Sequence, residues 1–328
     1  MNTTHRPYSE AGGDFNRLAR FFIDDAANAR ARSTWCLGRI VDWKWAVYAG
    51  KQQTPFFTDD NAHLWFDGFD SLAGFVVSES GDDGLAILTR PGYRFLFEEM
   101  LCWALAAWAG RGPHFSIEIT EEQQPEAQLL EQYGFSRSAT FWTRRFDLTG
   151  KIAPRAALEP GFTLVDMATH PDYRGQRLLR YNAFHDGAEY TPEELPQALM
   201  LDEVSRRNPI YHAPTDVCVM APDGRLVAGC EALIDAHNLE ADVERVCTHD
   251  AFRRRGFARA AIVECLHRLK AMGIRSAYIM GYSQAAVALY GSLGAIDEQE
   301  AYTYERGSRP TADGRPPTTD DRPPTTND

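Results

Sequence analysis

Residues 253–258 read Arg253-Arg254-Arg255-Gly256-Phe257-Ala258, and they join a strand-like run (241–248) to a helix-like run (258–271). A strand that feeds a glycine turn and then a helix can hold phosphate. The free N–H groups of the first helical turn point at the anion, and the helix dipole favours negative charge there. Gly256 lets the backbone approach the ligand closely, and the arginines add positive charge and fork-like donors. The stretch therefore predicts a phosphate-binding loop.

The glycine pattern of this loop separates it from two common phosphate motifs. No Gly-Lys-Ser/Thr follows, so it is not a Walker loop, and the glycine spacing differs from the dinucleotide fingerprint. The loop reads Arg-x-x-Gly-x-Ala, which resembles the acyl-CoA pyrophosphate loop (Gln/Arg-x-x-Gly-x-Gly/Ala) of the GNAT (Gcn5-related) N-acetyltransferase superfamily.

The order of elements after the loop carries the same resemblance. A helix, a strand, a second helix and a final strand follow, as in the family. Residues 286–295 (Ala-Val-Ala-Leu-Tyr-Gly-Ser-Leu-Gly-Ala) resemble the family's Ala-x-x-Leu-Tyr-x-x-x-Gly-Phe. The departures are Ala295 for the usual Phe and Ser283 for a frequent Asn, and neither removes a reacting group. The resemblance covers residues 216–306.

Composition limits the class of protein. A chain of 328 residues with 44% hydrophobic residues is long enough for two globular domains. The formal net charge of -12 would repel a phosphate backbone, so nucleic acid is a poor candidate partner. The six cysteines are scattered without short paired spacings, which favours reduced core residues over disulfides or a zinc site. No signal-like or membrane-spanning stretch is found, so we expect a soluble, cytoplasmic protein.

The two halves of the chain share one order of elements at a fixed offset. Gly134 and Gly294 lie 160 residues apart, as do Ser116 and Ser276. A constant offset indicates a tandem repeat. We expect an α/β fold of the α+β type with two tandem GNAT-like domains, each a mixed, mostly antiparallel central sheet flanked by helices. The predicted divisions are a degenerate domain at 1–150, a catalytic domain at 151–306 and a disordered Pro/Thr/Asp-rich tail at 307–328.

The halves differ where chemistry is expected. The N-terminal half has Thr-Arg-Pro-Gly-Tyr-Arg at 89–94 in place of the Arg-x-x-Gly-x-Ala loop, and Leu130 stands where the C-terminal half has Tyr290. We therefore expect the N-terminal half to have lost the pyrophosphate loop and the acid. The alternative is that it still holds CoA through backbone contacts without chemistry.

The resemblance implies an acyl-CoA-dependent N-acyltransferase that moves an acetyl group from acetyl-CoA, as co-substrate and without a metal, to a primary amine. Tyr290 matches the family's acid position. Glu244 is our candidate base, with Asp242 and Glu231 as alternatives. The residues expected to hold the co-substrate are Val246, Cys247, Thr248, Arg253, Arg254, Arg255, Gly256, Phe257, Ala258 and Ser283.

The acceptor is expected to bind beneath the helices that follow the first strand of the C-terminal half. The candidates there are Tyr181, Phe184, His185, Glu189, Tyr190 and Asp202. These residues do not distinguish an amine of a small molecule from an amine of a peptide. The sequence does not indicate the oligomeric state either. A non-catalytic module that senses acyl-CoA or an amine is the alternative function. A metal-dependent hydrolase is disfavoured, because the histidines lack ligand spacing.

Overall fold

The computed structural model describes residues 2–26, 32–45, 60–79, 81, 84–112 and 114–307; the tail beyond 307, predicted to be disordered, lies outside them. The described elements, in chain order, are β1 (Thr4–Pro7), α1 (Asp14–Ala26), α2 (Leu37–Trp45), β2 (Ala62–Phe66), β3 (Leu72–Ser78), β4 (Gly84–Thr89), α3 (Phe97–Ala107), β5 (Phe115–Thr120), α4 (Gln124–Gln132), β6 (Ser136–Asp147), β7 (Thr163–Asp166), α5 (Tyr173–Phe184), α6 (Leu195–Ser205), β8 (Val217–Met220), β9 (Leu226–Asp235), β10 (Glu240–Thr248), α7 (Phe257–Ala271), β11 (Ser276–Gly281), α8 (Gln284–Gly291) and β12 (Asp297–Arg306).

The chain forms two compact units that exchange strand segments. The first contains the described residues up to Phe141, except Trp45, and the residues from Gln299 onward; the second contains Trp142 to Glu298. Most of β12 therefore belongs to the unit built from the N-terminal half, and the second part of β6 belongs to the other. The predicted boundary at residue 150 instead puts all of β6 in the N-terminal domain and all of β12 in the C-terminal domain. The predicted division into domains at 1–150 and 151–306 stays a prediction.

The first unit is built on strands in the order β1-β2-β3-β4-β5-β12-β6. Neighbours β1 to β4 and the pair β5–β12 run antiparallel, whereas β4 and β5 are parallel. Apolar residues of these strands pack against α3 and α4, and the core includes Val76, Ile87, Met100, Ile117 and Leu130. Parallel pairing of β4 with β5 requires the crossover that α3 supplies.

The second unit is built on the order β6-β11-β10-β9-β8-β7. The pair β10–β11 is parallel, and the other neighbours are antiparallel. The crossover helix α7 buries Phe257, Ala261 and Leu266 in a core with Ala277 and Ile279. Each unit thus has the mixed, mostly antiparallel sheet flanked by helices that the sequence predicted.

The predicted repeat is visible in the elements themselves. The crossover helices start at Phe97 and Phe257, which preserves the offset of 160 residues. Gly134 and Gly294 both have φ above +80° just past a helix end. A residue in this left-handed region commonly ends a helix, and glycine adopts it without steric cost. The two halves therefore end their last helix in the same way.

Three local features of the N-terminal half have simple causes. The mostly polar residues 4–7 form β1, which pairs with β2 through backbone bonds that need no apolar side chains. Residues Leu37–Trp45 form the helix α2. The helix α3 is preceded by 3₁₀ turns at Pro91–Leu96, where proline fixes the first residue.

Candidate active site

Strand β10 leaves its neighbour part-way along its length. Its parallel pairing with β11 extends only to Asp242 opposite Tyr278, although both strands continue. On its other side, the pairing with β9 shifts between Glu244 and Cys247, so that two residues of β10 oppose one of β9. This is a β-bulge, and its first residue, Arg245, has φ +51°. The bulge bends β10, and the divergence leaves an edge where a ligand can meet the main chain.

The predicted phosphate loop has the backbone of an anion site. Arg254 has φ +65° and Gly256 has φ +80°, both in the left-handed region. Gly256 caps α7 without a side-chain hydrogen bond to the helix. The first backbone bond of the helix runs from Ala260 N to Gly256 O, so the preceding N–H groups point out of its end. Such successive N–H groups form a concave nest for an anion.

The three arginines of this loop have different environments, and Arg255 is committed to the protein. Its Nε lies 3.0 Å from Glu159 Oε1, and a second bond joins the same two side chains. The guanidinium carbon also lies 4.8 to 5.4 Å from the ring centres of Phe162, Phe252 and Phe257. The expectation that Arg255 holds the co-substrate is therefore limited to its main chain, because its side chain fixes the loop.

Arg253 and Arg254 contrast with it and with each other. Arg253 pairs with Asp250 at 3.2 Å and donates to the carbonyl of Ala183 at 3.2 Å. Arg254 is exposed and has no side-chain partner among the described residues. Arg254 is thus the guanidinium of the loop that a phosphate would meet with least rearrangement.

Tyr290 lies in α8 with only 5% of its surface exposed. Its ring lies against Gly281, where an added Cβ would approach ring carbon Cδ2 to 3.1 Å. No described residue accepts or donates a hydrogen bond at its hydroxyl. Burial, and next the negative charge of Glu244, raise the pKa of Tyr290 above its usual value. The phenol therefore keeps its proton at neutral pH and is electrostatically coupled to Glu244.

Two other residues predicted to hold the co-substrate, Cys247 and Ser283, have side chains that are occupied within the protein, so only their main chain is available to a ligand. Cys247 is buried, and burial raises the pKa of its thiol to about 12, so the sulfur is a neutral core atom. Ser283 caps α8 by accepting a bond from Ala286 N at 3.2 Å. Val246 and Thr248 flank Cys247 and are half-buried at the divergent edge of β10.

The three candidate bases are distinguished by their partners. Glu231 is 4% exposed, and its two oxygens bind different arginines, Arg180 at 2.7 Å and Arg245. A carboxylate held by two guanidinium groups is a weak proton acceptor. Glu244 lies directly opposite Glu231 across the strand pair, is half-buried and acts on the Tyr290 phenol. Asp242 is buried, two residues before it. Glu231 is thus the least suited of the three, and Glu244 stays our candidate base.

Four of the predicted acceptor residues come together beside α5. The ring of Tyr181 stacks on His185 at 4.2 Å and on Tyr190 at 3.7 Å between ring centres. Arg177 donates to the Tyr190 hydroxyl at 2.6 Å and lies 3.3 Å from Asp202. The other two, Phe184 and Glu189, are exposed.

The matching position in the first unit has a different chemistry. The 3₁₀ turns at Pro91–Leu96 run directly into α3, so no open nest of N–H groups precedes the helix. Glu98 and Glu99 occupy the first turn of α3 and would repel an anion there. Leu130 is fully buried where the second unit has Tyr290. These features do not fit a pyrophosphate.

Two general findings concern the part of the chain that the structure covers. Within it, no three His, Cys, Asp or Glu side chains are grouped to hold a metal ion. None of its helices combines the length and apolar character needed to cross a membrane.

Comparison with known proteins agrees with the geometry. The sequence model of the acetyltransferase (GNAT) family matches residues 181–295, which include the bulge, the loop and Tyr290. A tandem GNAT protein from the clavulanic acid biosynthesis pathway superimposes with a TM-score of 0.66 at 13% identity, over 94% of this chain and 100% of that chain. Residues 181–295 thus match the GNAT acetyltransferase family in sequence, and the chain has a tandem GNAT fold. A second GNAT structure, the GCN5-related N-acetyltransferase from Sphaerobacter thermophilus, superimposes with a TM-score of 0.64 at 17% identity, over 94% of this chain and 96% of that chain.

These similarities establish the GNAT fold and leave the acceptor open. No curated protein matches the sequence. The match to the GNAT family supports acyl-CoA-dependent transfer to nitrogen at a general level. The acyl group and the acceptor amine have to be argued from the site.

Proposed function

We propose that the second unit is an N-acetyltransferase that moves an acetyl group from acetyl-CoA to a primary amine of a small molecule or peptide. The observation that carries this proposal is the combination of an open phosphate nest at α7 with a buried, protonated Tyr290 that is coupled to Glu244. A general phosphate-binding loop would not require an acid and a base beside it.

The loop and the diverging strand fit different parts of acetyl-CoA. The pyrophosphate would bind the N–H groups that precede Ala260, with Arg254 as a flexible cation. The amide groups of the pantetheine arm would pair with the main chain of Val246 and Thr248, as a peptide adds to a strand edge. The side chains of Arg255 and Ser283 already have protein partners, so they would contribute shape and backbone.

The proposed reaction needs one proton acceptor and one proton donor. Glu244 takes a proton from the amine, directly or through water, so that the nitrogen lone pair attacks the thioester carbonyl. The C–N bond forms, the C–S bond breaks, and Tyr290 gives its proton to the departing sulfur. The nitrogen loses its second proton, through water, to the Tyr290 phenolate, which leaves a neutral amide and restores the phenol. The phenol is protonated at neutral pH, as this role requires, and its buried ring is held against Gly281 of β11. Main-chain N–H groups at the bulge would stabilise the carbonyl oxygen in this scheme.

The first unit would shape the protein without taking part in transfer. Its helix α3 starts with two glutamates and without an open nest, so one acetyl-CoA would bind per chain. The alternative, a second acetyl-CoA held by backbone contacts, predicts two sites and is tested by the same experiment.

Calorimetric titration with acetyl-CoA tests the proposal. We expect one site in the wild type, lost in Gly256→Glu, where the new side chain meets both a left-handed backbone and the nest. Gly92→Glu is the matched control, because it makes the same change at an exposed position of the other unit's turn. Two sites would contradict the division of roles, and no binding would refute the proposal.

An amine panel then separates catalysis from sensing. Release of CoA thiol with at least one amine, strongly reduced in Tyr290→Phe, is the expected result. Binding of acetyl-CoA without turnover of any amine would favour a sensing module over an enzyme.

A further inference from the structure

Glu231 links three elements around the bulge of β10. It is almost fully buried on β9, and its carboxylate binds Arg180 of α5 at 2.7 Å and Arg245 of β10. It also lies opposite Glu244, and two like charges directly opposed across a strand pair are unfavourable. The two arginines compensate the charge of Glu231, so Glu244 can remain beside it. The proposed function makes no use of this chain of charges.

Arg245 is an unusual residue for the conformation it adopts. Its φ of +51° lies in the left-handed region, where residues other than glycine, asparagine and aspartate are uncommon. Such strained residues persist only where surrounding contacts hold them. The buried ion pair with Glu231 can hold Arg245 in this conformation, since it ties this residue to the neighbouring strand.

The other end of the chain of charges is also fixed. Arg180 lies 3.5 Å from Asp216, which is 1% exposed. Asp216 accepts bonds from Gln176 at 2.6 Å and from the Tyr211 hydroxyl at 2.9 Å. Burial, followed by the charge of Asp216, raises the pKa of Tyr211, so this phenol stays a neutral donor. A fully bonded buried network of this kind is rigid.

We propose that Arg245, clamped by Glu231 and through it by Arg180, is a positioning residue that fixes the bulge of β10. This inference rests on the proposed function. The bulge separates Glu244 from the main chain of residues 246–248, so its shape sets both the direction of the base and the edge that meets acetyl-CoA. Arg245 itself touches neither substrate in this scheme and acts through the backbone.

Two variants separate the side chain from the backbone. Arg245→Gly keeps the left-handed conformation at no steric cost but removes the clamp, whereas Arg245→Lys keeps a charge that can reach Glu231. Glu231 keeps Arg180 in both, so no buried charge is left without a partner and both variants should fold. The control is Arg207→Ala, which removes an arginine from an exposed ion pair with Glu203.

The first measurement is hydrogen exchange of the backbone amides at residues 246–248 without any ligand. We expect about tenfold faster exchange in Arg245→Gly, little change in Arg245→Lys and none in Arg207→Ala. Unchanged exchange in Arg245→Gly would refute the clamp. Because this readout needs no acetyl-CoA, it tests the clamp even if the proposed function fails.

The second measurement is steady-state kinetics with acetyl-CoA and an amine that the wild type acetylates. We expect kcat to fall about 10- to 100-fold in Arg245→Gly, with substantial rescue in Arg245→Lys. Wild-type kinetics in the glycine variant would show that only the backbone conformation matters, which overturns the proposal. Equal losses in the glycine and lysine variants would overturn it as well, because the charge would then have no role.

Discussion

Gly281→Ala should displace the proposed acid without touching it chemically. The added Cβ would lie 3.1 Å from Tyr290 Cδ2 and 3.2 Å from Cε2. Carbon atoms prefer separations of about 3.5–4.0 Å, so the ring has to move by about 0.4 Å or more. The ring is buried and cannot move without disturbing its neighbours, and such overpacking costs about 1–3 kcal/mol.

The expected kinetic effect follows from this displacement. A misplacement of about 1 Å can lower a rate about 100-fold, so a shift of this size should lower kcat about tenfold. Acetyl-CoA affinity should change little, because Gly281 lies on β11 away from the α7 loop. The assay is CoA thiol release from acetyl-CoA with an accepted amine, combined with calorimetric titration of acetyl-CoA.

Two further variants make the prediction specific. Gly291→Ala is the matched control: it follows Tyr290 in α8, its Cβ would only contact the Arg144 side chain at 3.4 Å, and a helical Gly→Ala change stabilises by about 0.5–1 kcal/mol. In a Tyr290→Phe background, Gly281→Ala should cause no further loss of kcat. The reasoning is refuted if Gly281→Ala retains wild-type kcat, or if it lowers kcat equally with and without the Tyr290 hydroxyl.

Three other predictions follow from the structure. Burial, then the charges of its neighbours, lower the pKa of His63 to about 4, so the unfolded chain binds a proton at a higher pH than the folded chain. The free energy of unfolding should therefore fall by about 1–2 kcal/mol between pH 6.5 and 4, after allowance for screening. In chemical denaturation, His63→Gln should show a flatter pH dependence of this free energy, and an unchanged slope would contradict the assignment. Arg254→Ala should weaken acetyl-CoA binding several-fold in titration and reduce its salt dependence, whereas Glu159→Gln should lower the melting temperature by releasing Arg255. If Arg254→Ala lowered the melting temperature and Glu159→Gln weakened binding instead, the roles of the two arginines would have to be exchanged. Ending the chain after Glu298 should speed hydrogen exchange in Phe115–Thr120 at the amides that bond to β12, while ending it after Gly307 should leave exchange there unchanged. Unchanged exchange in the shorter chain would show that β5 does not need β12.

Local patterns in the sequence predicted the elements well. Strands β2, β3, β5 and β8 are each an apolar or alternating run bounded by turn residues, which is the pattern that predicts a strand. The crossover helix α7 starts one residue before the prediction, directly after its glycine. The family signature likewise placed the loop and Tyr290 in one unit, where burial and the charge of Glu244 act on the phenol.

Tertiary partners explain what the sequence could not predict. Arg255 resembles its two neighbours in the sequence, and only the approach of Glu159 from the preceding linker shows that its side chain is occupied. The sequence around Arg245 does not indicate a left-handed backbone conformation, since arginine has no preference for the left-handed region. The sequence also could not show which unit contains β12. Both halves end in an equivalent strand, and the side-chain pattern of β12 is compatible with either sheet.

The place of β12 in the first unit has a consequence during synthesis of the chain. Residues Ala301–Arg306 complete the ladder of Thr120–Phe115, yet they are translated long after them. At about 5–20 residues per second, β5 would wait roughly 10 to 40 s for its partner. During that interval an open strand edge is exposed, which is a site of mispairing. The N-terminal half of this protein thus cannot finish its sheet as it emerges, and its folding waits until β12 has been translated.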